Sequence, residues 1–367
     1  MLNKVKYLLI LLISILSSSI VYGENLNLSG QSAILMESQT GRILFEKNAY
    51  KKLPMASTTK IMTALVAIEK GNLEENVLIR GDSVGIEGSS IYLKEKEVIK
   101  LRDLLYGLML QSGNDAAVAI ASHIGGTVEQ FVDFMNIKAK EIGAVNTNFK
   151  NPHGLPDSEH YTTAYDLAMI TREAFSNSEF VEIVSTKSYV SNRTENNYFY
   201  NKNKTLWDYE GGDGVKIGYT MSSGRCLVSS ATRNNMKIIA VTLNGHDWFN
   251  DNYKLLDYGF ENFKMYMLYD KSQFVGKVPT EGGIVDYLNL ITEDQLYYPL
   301  KDGERENVKI VADLPELIQL PVEKGEKIGS IYTYLDGKLL SRNMVVAKNS
   351  ITKSNIILRL FNRIKGK

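Results

Sequence analysis

The sequence changes character near residue 268, and this change most strongly limits how the chain can fold. Before it, apolar residues recur at helical spacing in some segments and at strand spacing in others. From about residue 271, short β-type segments alternate with glycine-containing turns. A length of 367 residues also suits two domains better than one. We therefore predict an α/β domain over residues 24–268 and a small all-β sandwich over residues 269–350.

The first domain is predicted to combine an antiparallel sheet with a helical region. Strands are predicted over residues 33–36, 43–45, 215–220, 226–231 and 237–243. Helices are predicted after Ser57 as far as Gly71, over 101–110, 116–124 and 128–142, from Thr163 to about Phe175, and over 253–266. Between two of the strands, Asn234-Asn235 predicts a tight hairpin, because asparagine accepts the positive φ angles that such a turn requires.

The first 23 residues are predicted to be a secretory signal peptide. Lys4 and Lys6 precede an apolar segment over residues 7–16, and small and polar residues follow as far as Gly23. An uncleaved anchor is the alternative, although the apolar segment is shorter than the roughly 20 residues of a full span. Both readings place the body of the protein outside the cytoplasm.

The last segment, residues 351–367, is predicted to be a basic amphipathic helix. One face carries Ile356, Ile357, Leu360, Phe361 and Ile364, and the basic residues are Arg359, Arg363, Lys365 and Lys367. Such a terminal helix is typical of an anchor to a membrane surface. A helix packed on its own domain is the alternative.

Charge and cysteine content exclude some functions. The chain has 42 basic and 42 acidic residues, whereas proteins that bind nucleic acid carry a basic surplus. Cys226 is the only cysteine, so an internal disulfide is impossible. Because Cys226 lies in an apolar strand, we expect a buried, inert thiol rather than a nucleophile paired with histidine.

Ser57-Thr58-Thr59-Lys60 is the first motif with possible chemistry. Residues three apart share one face of a helix, so the Lys60 amine is expected beside the Ser57 hydroxyl. A serine becomes a nucleophile when a base takes its proton, and a lysine with a lowered pKa can be that base. The pattern alone is weak evidence, because Ser350 and Lys353 repeat it in a region with no other chemical signal.

Two further motifs follow at wide spacing. Ser112-Gly113-Asn114 lies between two apolar helices, where its side chains could relay a proton and hold an amide, or could simply cap a helix. Lys216-Ile217-Gly218 opens a strand after a glycine-rich turn. Its lysine could bind a carboxylate beside a position without a side chain, or could be an ordinary solvated residue.

In this order, the three motifs resemble the Ser-x-x-Lys, Ser-x-Asn and Lys-Thr-Gly signature of penicillin-binding proteins and serine β-lactamases. Residues 151–155 and 160–167, and Gly218-Tyr219-Thr220 leading to Gly224-Arg225-Cys226, closely resemble one family among them. That family is the serine D-alanyl-D-alanine carboxypeptidases, which are low-molecular-mass penicillin-binding proteins. The resemblance implies a penicillin-binding/β-lactamase-like fold for the first domain.

The resemblance also implies an activity, a location and a role for each residue. The enzyme would remove the terminal D-alanine from peptidoglycan stems at the outer face of the cytoplasmic membrane, would be inhibited covalently by β-lactams, and would need no metal or cofactor. Ser57 would form the acyl-enzyme, Lys60 would be the general base and Ser112 would shuttle a proton to the departing D-alanine. Asn114 would hold the peptide, Lys216 would bind the terminal carboxylate beside Gly218, and the backbone N–H groups of Ser57 and Tyr219 would form the oxyanion hole.

One departure from the family pattern is Ile217, which stands where the family usually has threonine or serine. The missing hydroxyl would contact the substrate carboxylate, so we expect weaker binding of substrate or penicillin. Ile217 is also the only support for a non-enzymatic alternative, a wall-binding or penicillin-sensing protein that acylates poorly.

Two enzymatic alternatives have less support. A class A β-lactamase would need a Glu-x-x-Leu-Asn segment, and none occurs between Asn114 and Lys216. A zinc peptidase could use the cluster of His153, Asp157 and His160, but no His-Glu-x-x-His segment occurs, and zinc sites need three ligands at disciplined spacing.

Overall fold

The computed structural model describes residues 26–353. Within these residues the strands, numbered β1 to β16 in chain order, are Ser32–Glu37, Ile43–Lys47, Asn76–Leu78, Val98–Lys100, Ser188–Val190, Tyr198–Tyr200, Gly212–Thr220, Gly224–Arg233, Met236–Leu243, Phe263–Tyr269, Phe274–Pro279, Tyr287–Thr292, Leu296–Lys301, Val308–Asp313, Lys327–Leu335 and Lys338–Ala347. The helices, α1 to α8, are Lys60–Lys70, Leu101–Leu110, Asn114–Gly125, Val128–Ile142, Ala164–Ala174, Ser178–Ser185, Thr205–Asp208 and Trp248–Asn262. No helix in this part of the chain has the length and apolar character needed to cross a bilayer.

An antiparallel five-stranded sheet organises the first domain, with strand order β2-β1-β9-β8-β7. Helix α8 packs on one face of this sheet, where Leu35, Ile238 and Leu255 belong to one buried apolar cluster. The other face meets the helical region, in which Ile61 and Leu65 of α1 share a larger cluster with residues of α2 to α6. The sheet is therefore covered on both faces, and β7 forms one of its edges.

An all-β region follows helix α8. Its larger sheet has strand order β11-β12-β16-β15-β14, and a two-stranded sheet is formed by β10 and β13. Val278, Leu288, Leu290 and Val345 lie in its buried apolar cluster. The predicted all-β character of this region is confirmed, and so is the mixed α/β character of the first domain.

Arg42, at the turn between β1 and β2, links the first domain to β10 and β13. Its guanidinium lies over the rings of Phe263 and Tyr298, at 5.1 and 5.3 Å from their centres. It also donates to the Glu304 carboxylate at 2.6 Å and to the carbonyl of Pro299. Four different contacts on one partly buried cation fix where the two-stranded sheet meets the first domain.

Most predicted elements are observed with small changes of boundary. Helices α2 and α4 have the predicted limits, and the Thr163 hydroxyl accepts the backbone N–H of Asp166 as an N-cap. The Asn234-Asn235 turn has the expected positive φ angles, 48° and 62°. Cys226 is fully buried, and burial raises the pKa of its thiol to about 11.

The predicted helix over residues 253–266 was wrong at both ends. The helix begins at Trp248 and ends at Asn262, and residues from Phe263 to Tyr269 form strand β10. Aromatic residues fit helix and strand alike, so periodicity did not mark the point where pairing with β13 takes over.

The short helices α6 and α7 were not predicted. The proposed amphipathic helix lies outside the described residues, except for its first three positions.

Candidate active site

The site is built where the edge strand β7 meets the turn that carries Ser57. A β-carbon added to Gly218 of β7 would lie 2.8 Å from the backbone nitrogen of Ser57 and 3.1 Å from the β-carbon of Ala56. Only glycine permits this approach of strand and turn. The absence of a side chain at position 218 therefore places the backbone of β7 directly against Ser57.

Ser57 lies in a short 3-10 turn, Ala56–Thr59, immediately before the α-helix that was predicted to follow it. Helix α1 begins at Lys60. The two side chains still meet, because residues three apart in a 3-10 turn lie one above the other. Ala56 has a positive φ of 49°, which is uncommon for a residue with a β-carbon. The chain therefore reverses sharply just before Ser57.

The Lys60 amine occupies the centre of the site. Its Nζ lies 3.0 Å from Ser57 Oγ, 2.7 Å from Asn114 Oδ1 and 2.7 Å from the carbonyl oxygen of His153. The side chain is fully buried. Burial lowers the Lys60 pKa well below its ordinary value, and the nearby positive charge of Lys216 lowers it further. Asp115 opposes the shift but does not reverse it.

Ser112 and Lys216 line one narrow cleft, together with Ile217 and Lys202. Ser112 has a φ of 64°, so the chain turns between α2 and α3 at this residue. Lys216 is 2% exposed, and its Nζ donates to the carbonyl of Ile217 at 3.0 Å. Burial, helped by the charge of Lys202, lowers the Lys216 pKa to about 7.

Asn114 and Asp115 connect the start of α3 to the loop that precedes β4. The Asn114 Nδ2 donates to the carbonyl of Glu87 at 2.6 Å, while its Oδ1 accepts from Lys60. The buried Asp115 carboxylate accepts the backbone N–H groups of Ile91 and Leu93, both at 3.0 Å. These bonds hold the loop over residues 87–93 beside the Lys60 amine.

The structure brings all seven predicted residues to one place. Ser57, Lys60 and Asn114 are joined by hydrogen bonds, Gly218 lies against Ser57, and Ser112 and Lys216 share a cleft. Tyr219 follows on β7, with its side chain 62% exposed. The second Ser-x-x-Lys segment is elsewhere, in the all-β region, where Ser350 Oγ accepts the backbone N–H of Lys324.

Sequence reasoning missed three contributions from the loop over residues 151–160. The His153 carbonyl binds Lys60, and Gly154 packs so closely that an added β-carbon would lie 1.9 Å from the Ala56 carbonyl oxygen. His160 supports the turn from behind, because its Nε2 lies 2.8 Å from Thr59 Oγ1. The turn-forming residues of this loop indicated its shape, but nothing in them indicated that a main-chain carbonyl would reach a lysine.

Both histidines of the zinc alternative take part in hydrogen bonds in this arrangement. His153 Nδ1 accepts the N–H of Leu155 at 3.1 Å, and His160 Nδ1 accepts the N–H of Lys150 at 3.0 Å. The Nε2 of His160 is engaged by Thr59. In residues 26–353, no group of three His, Cys, Asp or Glu side chains could hold a metal ion.

The site places a serine hydroxyl beside a buried amine at the edge of a sheet, with a second lysine nearby. This arrangement suits acyl transfer from an extended peptide that ends in a free carboxylate. The family model for D-alanyl-D-alanine carboxypeptidases matches residues 21–247. The chain belongs to the D-alanyl-D-alanine carboxypeptidase family. Residues 263–353 match a second model, the C-terminal domain of penicillin-binding protein 5. The predicted family and its class of enzyme are thus confirmed.

Relatives of this carboxypeptidase family match nearly the whole chain. The carboxypeptidase DacF of Bacillus subtilis is 36% identical over 338 residues, covering 89% of this chain and 87% of the relative. DacC of Escherichia coli is 30% identical, with 91% and 87% covered. The crystal structure of penicillin-binding protein 5 from Haemophilus influenzae aligns with a TM-score of 0.75 at 31% identity, covering 89% of this chain and 98% of that one.

His160 makes the stability of this carboxypeptidase-family fold depend on pH. Burial lowers the His160 pKa to about 4, and a proton on Nδ1 would face the N–H of Lys150. The unfolded chain, with an ordinary pKa of about 6.5, therefore binds this proton more readily than the folded chain. The contribution of His160 to the free energy of unfolding is therefore complete above about pH 6.5. It is lost as the pH falls towards 4, and the loss is roughly 2–3 kcal/mol.

The measurement is the free energy of unfolding in urea between pH 4 and pH 7.5, for the wild type and for His160→Gln. We expect a visibly shallower pH dependence in the variant, because glutamine does not titrate. Equal slopes for both proteins would show that His160 is not the group responsible.

Proposed function

We propose that Ser57 is the nucleophile and Lys60 the general base of a D-alanyl-D-alanine carboxypeptidase reaction. The supporting observation is the 3.0 Å separation of Lys60 Nζ and Ser57 Oγ inside a buried site. A serine hydroxyl reacts only when a base takes its proton. Burial lowers the Lys60 pKa well below its ordinary value, which favours the neutral amine that can accept that proton.

The hydrogen bonds of Lys60 fit a neutral amine. A neutral amine has two N–H donors and one lone pair, whereas a charged one has three donors and no acceptor. The two shorter contacts lead to carbonyl oxygens, of Asn114 and His153, which can only accept. In the neutral amine the lone pair then remains for the hydroxyl proton of Ser57, whereas a charged amine donates to Ser57 Oγ.

Acylation follows from this starting arrangement. Ser57 Oγ attacks the carbonyl carbon of the penultimate D-alanine while its proton moves to Lys60. The tetrahedral oxyanion is held by the backbone N–H groups of Ser57 and Tyr219, which Gly218 allows to approach each other. When the intermediate collapses, the peptide bond breaks, and the departing amine of D-alanine takes a proton from Lys60 through the Ser112 hydroxyl.

Deacylation repeats the sequence with water. A water molecule gives a proton to Lys60 and attacks the ester carbon, the C–O bond to Ser57 breaks, and Ser57 recovers its proton. The product is a stem peptide shortened by one D-alanine. A β-lactam would acylate Ser57 by the same attack, with its ring amide as the bond that breaks.

The substrate would lie extended along the free edge of β7. Lys216 would bind the terminal carboxylate of the substrate. Burial lowers the Lys216 pKa to about 7, and the negative charge of the bound carboxylate would keep the amine protonated. The Nδ2 of Asn114 has two hydrogens, of which one donates to Glu87. The other can donate to a carbonyl of the peptide, as the sequence predicted for this residue.

The first test is release of D-alanine from diacetyl-Lys-D-Ala-D-Ala by the purified mature chain. Ser57→Ala should lower this release by about a thousandfold or more, because no other group would form the acyl-enzyme. Ser350→Ala is the matched control, since it alters the other Ser-x-x-Lys segment, and it should keep wild-type release. Trapping of a stable penicilloyl-enzyme without any D-alanine release from the wild type would favour the penicillin-sensing alternative.

Ile217 is expected to limit acylation. It lines the cleft of Ser112 and Lys216, where a threonine hydroxyl could bind the substrate carboxylate. Gaining this hydrogen bond in Ile217→Thr should speed acylation by benzylpenicillin about tenfold, within the usual energy of such bonds. Ile217→Val is the control, because it changes the volume without adding a hydroxyl. No acceleration in the threonine variant, or an equal one in both, would contradict this role.

We also propose that residues 1–23 direct export and that the terminal segment binds the membrane surface. The last described residue, Lys353, pairs with Gly283, beside the exposed side chains of Ile284 and Val285. The chain thus leaves the all-β region next to apolar surface, which suits a membrane-facing end. Work at the outer face of the cytoplasmic membrane would follow.

Vesicle binding tests the anchor. Residues 24–367 should sediment with phosphatidylglycerol vesicles, less so as salt is raised, because basic residues add an electrostatic attraction. Residues 24–353 are the control and should remain in the supernatant. No sedimentation of either protein would favour a terminal helix packed on its own domain, and equal sedimentation of the two would place vesicle binding outside residues 354–367.

A further inference from the structure

A cavity of about 530 Å³ opens beside the nucleophile turn, and the reaction outlined above makes no use of it. Residues 52–54, which lead into the turn, form one side, and residues 156–158, 160 and 161 form the other. Ser222, in the turn between β7 and β8, closes a third side. The cavity is therefore lined by segments that lie next to the Ser57 turn and to the far end of β7 in the chain.

The order of residues along β7 determines which part of a substrate meets this cavity. Lys216, the proposed carboxylate site, comes first, and Gly218 lies against Ser57 two residues later. Since strand residues advance by about 3.3 Å each, the scissile bond lies about 7 Å beyond Lys216 along the strand. The rest of the stem peptide must then continue in the opposite direction from the carboxylate, which is towards Ser222 and the cavity.

The cavity combines an apolar interior with two opposite charges at its rim. Leu53, Pro54 and Pro156 contribute apolar surface. Lys52 is exposed, and its Nζ lies 4.8 Å from the centre of the Tyr161 ring, which orients the amine. Asp157 is exposed on the facing loop. Within residues 26–353, neither Lys52 nor Asp157 takes part in an ion pair.

Asp157 is also held in place. Its carboxylate accepts the backbone N–H of Glu159 at 2.8 Å, and its carbonyl accepts the N–H of His160. His160 in turn supports the Ser57 turn through Thr59. The acidic side of the cavity is thus built on the same loop that positions the nucleophile.

We propose that this cavity binds the side chain of the stem residue that precedes D-Ala-D-Ala, and that it selects a diamino acid with a carboxylate at its far end. Asp157 pairs with the terminal ammonium of that side chain, and Lys52 pairs with the terminal carboxylate. The apolar surface of Leu53, Pro54 and Pro156 receives the methylene chain between. The inference rests on the proposed function, because it uses the position of Lys216 to orient the peptide.

This charge arrangement favours diaminopimelate over lysine at that stem position. A lysine side chain would satisfy Asp157, but its ammonium would also face the positive charge of Lys52. Diaminopimelate carries an ammonium and a carboxylate on the same carbon at the end of its side chain, so Asp157 and Lys52 would each meet a group of opposite charge. Exposed ion pairs are weak, so the selectivity should be moderate.

The test compares kcat/KM for D-alanine release from two synthetic pentapeptides. They are L-Ala-γ-D-Glu-X-D-Ala-D-Ala with either meso-diaminopimelate or L-lysine at X, and the proteins are the wild-type mature chain, Lys52→Met and Lys52→Glu. Lys51→Met is the matched control, because Lys51 is also exposed but does not line the cavity. Methionine keeps most of the length of the lysine side chain and its contact with Tyr161.

We expect the wild type and Lys51→Met to prefer the diaminopimelate peptide about three- to fivefold. Lys52→Met should bring the ratio close to one, and Lys52→Glu should reverse it. A ratio near one in the wild type, or a ratio that Lys52→Met leaves unchanged, would overturn the subsite while leaving the carboxypeptidase reaction in place. Absence of release from both peptides and from diacetyl-Lys-D-Ala-D-Ala would instead overturn the proposed function, and the subsite with it.

Discussion

The Lys60 amine lies in the protein interior, where a charged ammonium would lose several kcal/mol of hydration free energy. It is held there by the side-chain oxygen of Asn114, 54 residues away in sequence, and by the carbonyl of His153, 93 residues away. These two acceptors come from different parts of the helical region. The site can therefore exist only when α1, the start of α3 and the loop over residues 151–160 have all reached their final positions. Burial is what lowers the Lys60 pKa, and the two contacts that hold the amine in this buried position also join the helical region together.

The remaining parts of the site are brought in by close contact and by buried polar support. Gly218 allows β7 to touch the Ser57 turn, and Gly154 allows the His153 loop to reach the Ala56 carbonyl. Behind the loop, His160 donates from one ring nitrogen to Thr59 while the other accepts from Lys150. Asp115 holds the opposite wall through backbone N–H groups. The reactive groups thus need little reorganisation when a substrate binds, which is the condition for efficient electrostatic catalysis.

Much of the fold and of the site could be predicted from sequence wherever a residue type has one dominant structural preference. Helical spacing gave α2 and α4, Asn234-Asn235 gave its hairpin, and the three motifs gave the residues that meet around Lys60. Contacts made by the main chain could not be predicted, because the His153 carbonyl has no side-chain signature. The 3-10 geometry at Ser57 was missed since i and i+3 residues meet in both kinds of helix. At Phe263, a strand replaced the expected helix because pairing with a distant segment outweighed local preference.

The close packing of Gly218 and Gly154 has a consequence for how this protein can change under selection by antibiotics. A single added carbon at either position would meet main-chain atoms of the Ser57 turn at 2.8 Å or less. Variants at these two positions would damage the hydrolysis of the natural peptide together with the reaction with the drug. Substitutions that alter the reaction with a drug are therefore more easily accommodated at positions such as Ile217, whose side chain lines the cleft, and in the loops around the cavity.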